Sequence, residues 1–599
     1  MAVPIVVSLV LVMAAAGSAA GSDITSARPD AAVKADRDGN RIFDDLEARL
    51  ASLAANDRVK VLVTISAPAS SARVEELSRR VGGFGLSRRF GIVDGFAATM
   101  TKAQVEALSR VPSVVGVEEN ATVRALNDGA QASFGVTKAR QDMPSLDGDA
   151  DGSIATFSKD DLVAAVIDTG IDATHVDLDE GKVIGFKDFV NGRTDAYDDQ
   201  GHGTHVAATI AGDGDARADG LYAGVAPAAA LVGVKVLDST GAGTTEAVVA
   251  AIDWVVQNKD VYGIEAINLS LGESGCAAGT DIASQAVNRA HAAGLVVAAA
   301  AGNEGPGTCT VGAPGAAADA LTVGAMADTA ARGFGLASFS SRGPTADGRV
   351  KPDLAAPGVA ISSAAANTTN GYATYSGTSM ATPFVAGVAL LLRDANATLT
   401  PQQVKDTLVG TAIDWGRAGD SKAAGSTGPD IEYGAGRLDA YAALKEAGGT
   451  LTTGPATPRH ELREGTLSGT GARVDYVLDV VDTAFPVAAT LITPAITGAS
   501  ATTPDFDLYL YDPAGTLVGR SETTSRQERV GYVPTATGKY TLRVYSYSGS
   551  GSFFVDVSSG LAVDTTPPAI TSVSPASGAT GVPADTNVSV TFSEPMDSA

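Results

Sequence analysis

The stretch Gly377-Thr378-Ser379-Met380-Ala381-Thr382-Pro383 is built to present a serine. Two small residues precede Ser379, so the backbone can turn tightly before it. The apolar run Phe384-Val385-Ala386-Gly387-Val388-Ala389-Leu390-Leu391-Leu392 follows and predicts a buried helix. Ser379 then stands at a helix N-terminus, where unpaired backbone N–H groups and the positive end of the dipole favour a developing negative charge. Taken alone, the same serine serves equally well as a buried helix cap.

A serine hydroxyl is a weak nucleophile until a base takes its proton. The chain holds five histidines. His202 lies in Gly201-His202-Gly203-Thr204-His205-Val206-Ala207, where glycines on both sides let backbone and substrate approach the ring. His205, about one turn further on, is expected to pack or cap. His175 is expected on the surface or in a turn, His291 in an Ala-rich helix and His460 in a linker.

A catalytic imidazole needs a partner that fixes its tautomer and stabilises its cation. Leu162-Val163-Ala164-Ala165-Val166-Ile167 reads as a strand buried on both faces, and it ends in Asp168-Thr169-Gly170. A carboxylate at the carboxyl end of a parallel strand lies where open α/β sheets place their crevice; an isolated turn-capping Asp is the plainer reading. A second buried strand, from Leu295 to Ala301, runs into Gly302-Asn303-Glu304-Gly305. The Asn303 amide can donate to an oxyanion, or sit in a left-handed turn.

In the order Asp, His, Asn, Ser, these four motifs resemble the subtilisin-like serine peptidases (subtilases) over about residues 130–447. The resemblance implies an α/β fold: a subtilisin-like parallel sheet flanked by helices. It makes Ser379 the nucleophile, His202 the general base and then acid, Asp168 the orienting carboxylate and Asn303 an oxyanion donor. It also implies that Ser270, Leu271 and Gly272, in the run Ala266 to Gly272 that reads as a strand leading to an edge, pair with an extended protein or peptide substrate as an added strand. Gly312 would lie at the floor of a deep P1 pocket, so large apolar P1 side chains are expected, with Glu273 admitting basic ones. No cofactor is implied for catalysis. Two residues depart from the family pattern. Phe384 stands where many relatives carry His, and Glu273 where a small residue is common.

The wider chain fits export. Residues 3–20 are almost wholly apolar and end in Ser18-Ala19-Ala20, so 1–20 reads as a signal peptide, although no Lys or Arg precedes the run. A membrane anchor is the alternative reading. The net charge of −25 over 599 residues disfavours nucleic acid and anionic membranes as partners. Cys276 and Cys309 follow loops that, by the resemblance, border one cleft; a disulfide suits an exported protein, with two inert thiols as the alternative.

A calcium loop, as a structural ion site, is expected in the pro-segment 21–56, with an acidic turn as the alternative reading. Asp36, Asp38, Asn40, the Ile42 carbonyl, Asp44 and Glu47 take its ligand positions, with Arg41 where Gly is usual. A half-loop of the same kind runs over residues 147–154. Residues 57–126 alternate strand and helix patterns as a βαββαβ, ferredoxin-like module and resemble the inhibitory propeptide of subtilases, an intramolecular partner of the peptidase domain at 130–447. A linker at 448–463 precedes an all-β sandwich accessory domain at 464–560. Residues 565–599 open an Ig-like domain that stops short, as expected of part of a longer protein. The reading is a secreted, monomeric serine endopeptidase made as a self-processing zymogen. Its alternatives are a maturation peptidase for one partner and a non-catalytic, protease-like adhesin.

Overall fold

The computed structural model describes residues 39–42, 44–51, 53–89, 94–119, 127–142, 155–218, 220–328, 334–416, 428–449, 458–493, 504–562, 570–575, 580 and 589–592. The apolar segment 1–20, Asp36, Asp38 and the half-loop 147–154 lie outside them. The chain divides into two compact units, one of residues 1–331, 336–412 and 431–450, the other of 332–335, 413–430 and 451–599.

In the first unit, seven strands form one sheet in the order Leu354–Pro357, Leu321–Met326, Val296–Ala300, Ile264–Leu269, Val163–Asp168, Ala230–Lys235, Val183–Asp188. Every neighbouring pair is parallel. The runs Val163–Asp168 and Ala230–Lys235 are buried throughout, which is why they read as unbroken apolar stretches rather than alternating ones. Val163, Ile167, Val232, Ile267 and Val297 share one core with the helices Thr245–Tyr262 and Ile282–Ala292.

Two further helices carry the chemistry-bearing motifs. His202–Ala211 is buried along its whole length. Thr378–Ala395 is buried from Thr378 to Leu392, as its apolar run predicts. Pro383 lies inside it and has no N–H to give to the carbonyl of Ser379, four residues back. That carbonyl instead accepts from Ser270 Oγ at 2.8 Å. The proline thus ties the serine's helix to the end of a neighbouring strand.

The pro-region in this unit forms the expected βαββαβ module, with strands in the order Gly85–Arg89, Gly95–Thr101, Arg58–Ile65, Val114–Glu119. Its core of Val61, Val63, Leu77, Met100 and Val105 extends to Ile42, Leu46 and Leu50, so the helix Asp44–Ala51 packs into the same body. The helix Lys102–Ser109 opens with a capping box between Thr101 and Gln104.

The second unit is an antiparallel sandwich. One layer holds Leu517–Ser521, Asp505–Tyr511, Gly538–Ser548 and Arg473–Asp482; the other holds Arg459–Leu467, Gly551–Leu561, Val487–Ile492 and Gln527–Tyr532. Leu478, Val487, Leu508, Leu542 and Val555 fill the space between them. The strand Arg459–Leu467 begins inside the stretch read as linker, and His460 is part of it, with Nε2 2.8 Å from Asp556 Oδ1. The strands Ile570–Ser574 and Ser589–Phe592 pair antiparallel.

Candidate active site

Three adjacent parallel strands end at one edge of the sheet. They deliver Asp168, the Ser270-Leu271-Gly272 segment and the Asn303 loop side by side. Asp168 is fully buried, and its Oδ1 lies 2.7 Å from His202 Nδ1. The same oxygen accepts the Thr169 N–H at 2.7 Å. Burial pulls the His202 pKa down, but the Asp168 charge, its hydrogen bond and the more distant Asp198 outweigh it and hold the imidazole above its ordinary 6.5.

The start of the His202 helix is fixed from several sides. Gly201 takes a left-handed conformation at the cap, with φ 105°. Asp198 Oδ1 accepts the Gly201 N–H at 2.8 Å, and its Oδ2 accepts Thr204 N at 2.9 Å and Thr204 Oγ1 at 2.7 Å. Gly203 N donates to Thr169 Oγ1 at 2.8 Å. A Cβ on Gly203 would fall 2.2 Å from the Gly170 carbonyl, so only glycine lets the helix touch the Asp168 turn. Gly203→Ala is expected to cost about 1–3 kcal/mol through overpacking, read as a lowered midpoint in thermal unfolding.

Ser379 is nearly buried and stands in the first turn of its helix. Its Oγ donates to the Ser270 carbonyl at 3.2 Å, and His202 Nε2 has no hydrogen-bond partner among the described residues. The structure therefore joins Asp168 to His202 directly and joins Ser379 to the Ser270 strand end. Asn268 Nδ2 in turn donates to Ser270 Oγ at 2.9 Å. Asn303 Oδ1 accepts both Thr378 N and Thr378 Oγ1 at 3.0 Å. With the oxygen committed, the amide offers Nδ2 as its donor.

A cavity of about 220 Å³ opens here, lined by Ser270, Leu271, Gly272, Asn303, Gly312 and Ser379 among others. A Cβ on Gly312 would sit 1.8 Å from the Glu273 carbonyl, so this wall also requires glycine. Glu273 touches that cavity, but its carboxylate accepts Thr245 Oγ1 at 2.5 Å, beside a second cavity of about 30 Å³ walled by Leu237, Val248, Leu271 and Ala283. Glu304, which the sequence reading passed over, lines the larger cavity and accepts the Gly275 N–H at 2.8 Å. Cys276 and Cys309 form a disulfide.

Other residues lie elsewhere. His205 is buried against Tyr375, with ring centroids 4.6 Å apart, and its Nε2 reaches the Ile361 and Ala373 carbonyls. Burial, with the neighbouring His202, drives its pKa down to about 3, so it stays neutral. His175, expected on the surface or in a turn, lies in a turn and is fully buried: Nε2 bonds the Gly371 carbonyl and Nδ1 accepts the Asp177 N–H. Phe384 packs edge-on against Phe134. Of the calcium-loop residues, Asn40 Nδ2 donates to Glu47 Oε1 at 2.9 Å, and the Ile42 N–H donates to Asn40 Oδ1 at 2.7 Å. Among the described residues, no group of three His, Cys, Asp or Glu side chains is arranged to hold a metal, and no helix is long and apolar enough to cross a membrane.

Comparison with known proteins gives the family of each region. Residues 159–436 match the subtilase family model and 55–126 the peptidase inhibitor I9 model. Residues 486–546 match the bacterial pre-peptidase C-terminal domain and 564–599 a bacterial Ig-like domain. Serine protease AprX of Bacillus subtilis (strain 168) is 38% identical over 352 residues, 55% of this chain and 76% of that protein. Subtilisin E of Bacillus subtilis (strain 168) is 36% identical over 377 residues, 62% of this chain and 89% of that protein. The chain belongs to the subtilase family of serine peptidases and carries an I9-type inhibitory propeptide ahead of its peptidase domain.

Proposed function

We propose that the protein is a secreted serine endopeptidase, made as a zymogen that cuts off its own propeptide, with Asp168, His202 and Ser379 as one catalytic unit. The observation that carries the reading is the buried 2.7 Å contact between Asp168 Oδ1 and His202 Nδ1; Ser379 supports it from the first turn of its own helix, bonded to the end of the strand next to that of Asp168. His202 Nε2 takes the Ser379 proton as Oγ attacks the scissile carbonyl. The tetrahedral oxyanion rests on Asn303 Nδ2 and the Ser379 N–H. His202 then protonates the leaving amine, and water hydrolyses the acyl-enzyme by the same steps in reverse roles. An extended substrate pairing along Ser270-Leu271-Gly272 takes the Ser270 carbonyl, which frees the Ser379 hydroxyl to turn toward His202. The cavity of about 220 Å³ at Gly312, with Leu271, Ala300 and Ala301 among its walls, has room for a large apolar P1 side chain.

Mass spectrometry of the wild type and of Ser379→Ala tests this. The wild type should lose its propeptide by a cut between residues 120 and 134, and the variant should keep it. Propeptide removal in both, with no protease added, would overturn the reading.

Two expected results follow from the site. Asn303→Ala should lower kcat by roughly a hundred- to a thousandfold, the scale known for the equivalent donor in subtilisin. Steady-state turnover of a peptide amide checks it. The base must be neutral to act, and His202 is held above 6.5. The kcat/KM profile should therefore fall on the acid side, through a pKa higher than 6.5.

A further inference from the structure

We propose that Lys235 is a positioning residue that sets the Asp168–His202 contact, an inference that rests on the catalytic reading of that pair. Lys235 is fully buried at the end of its strand, directly opposite Asp168 in the parallel register. Its Nζ donates to the Thr169 carbonyl at 2.6 Å, to Asp199 Oδ1 at 2.6 Å and to the Leu237 carbonyl at 2.8 Å. An ammonium has three N–H bonds, and all three are used.

Two of those three acceptors belong to the segments that hold the candidate pair. Thr169 is bonded on every polar atom: its N–H goes to Asp168 Oδ1, its Oγ1 receives the N–H of Gly203, and its carbonyl receives Lys235. Asp199 lies in the loop that launches the His202 helix, next to Asp198, which accepts the Gly201 and Thr204 N–H groups at the start of that helix. The Lys235 ammonium therefore draws the Asp168 turn and the His202 loop onto one point. It touches neither His202 nor Ser379, so it acts through Thr169 and Asp199 alone. A buried ammonium is costly unless geometry and partners are close to ideal, and three short contacts, two of them to the converging loops and one to the Leu237 carbonyl, meet that condition. A neutral side chain here would leave two buried carbonyls and a carboxylate without their donor, and the loops would separate.

The test compares Lys235→Met, which keeps the stem and loses the donors, with Asp199→Leu and Asp199→Asn, the latter keeping an oxygen acceptor. Each chain is matured by tagged wild-type enzyme that is then removed, and kcat is expressed per active site titrated with a serine-directed phosphonate. Lys235→Met should lose about a hundredfold in kcat with little change in KM, because misplacing a catalytic group costs on that scale. The far-downfield proton resonance of His202 Nδ1–H, recorded on the unprocessed full chain, should move upfield or vanish. Asp199→Leu should change both readouts in the same direction, and Asp199→Asn should recover most of the loss. A folded Lys235→Met with kcat per site and resonance unchanged overturns the proposal. So does a loss confined to KM or to the fraction of active sites. If Lys235→Met fails to fold, equal behaviour of Asp199→Leu and Asp199→Asn overturns it. If the wild type cleaves no peptide, the proposed function fails, and the resonance alone decides whether Lys235 positions the pair.

Discussion

Ser379→Ala is expected to reduce peptide hydrolysis by about a millionfold, the scale of loss when the serine nucleophile is deleted in a family member. The substitution removes one oxygen and one 3.2 Å hydrogen bond to the Ser270 carbonyl. It leaves the helix Thr378–Ala395 with its buried face and leaves the Ser379 carbonyl bonded to Ser270 Oγ. Folding should therefore be kept, and the loss should be chemical. The residual rate should come from Asn303, the backbone N–H and substrate binding, which orient and polarise the carbonyl without a nucleophile. Turnover of a chromogenic peptide, alongside thermal unfolding to show an unchanged fold, checks both halves. Retained turnover in a well-folded variant would place the chemistry on another residue.

Asp168→Asn is expected to cost about ten-thousandfold in kcat, as in triad enzymes where this carboxylate becomes an amide. The amide has the same size and can keep its contacts to Thr169 N and His202 Nδ1. What disappears is the charge. Burial already opposes the imidazolium, and the Asp168 charge and hydrogen bond are the largest contributions holding the His202 pKa up. Without them burial dominates, so the cation formed during proton transfer loses its support. The sign follows: the acid limb of kcat/KM should move to lower pH than in the wild type, while the plateau collapses. A full pH profile measures both. A variant with normal turnover and an unmoved limb would show that Asp168 does not act on His202.

Much of this was legible in the sequence, because its logic is local. The serine at a helix start, the glycines around His202 and the unbroken apolar runs ending in Asp168 and at the Asn303 loop each follow from residues that adjoin one another. Burial on both faces leaves no alternation to misread. What stayed hidden depends on residues far apart in the chain. Thr378 orients the Asn303 amide across 75 residues, and Lys235 reaches Thr169 across 66. A signal for Lys235 did exist: a lysine closing the apolar run from Ala230 to Val234 must find buried acceptors. Asp198 gave no such signal, because it lies three residues ahead of the cap position at Gly201 and binds the helix start from outside it.

Other differences have equally plain causes. The strand Gly85–Arg89, one of the four that the βαββαβ pattern requires, is exposed at every residue, so no apolar alternation marks its bounds in the sequence. His175 follows a turn-like sequence but is covered by the distant Tyr372 and Gly371, which a local reading does not reach. Glu273 does lie at the cleft, but the Thr245 hydroxyl holds its carboxylate beside the smaller apolar cavity.

The central claim is that one hydroxyl in this molecule is activated by the buried imidazole–carboxylate pair. Intact-mass and peptide mapping after exposure of the matured protein to a serine-directed phosphonate tests it most directly. The account predicts a single adduct on Ser379, formed quickly in the wild type and lost or greatly slowed in Asp168→Asn and in variants that remove the His202 imidazole. An unlabelled Ser379 in matured, folded protein, or labelling that proceeds equally well without His202, would contradict it.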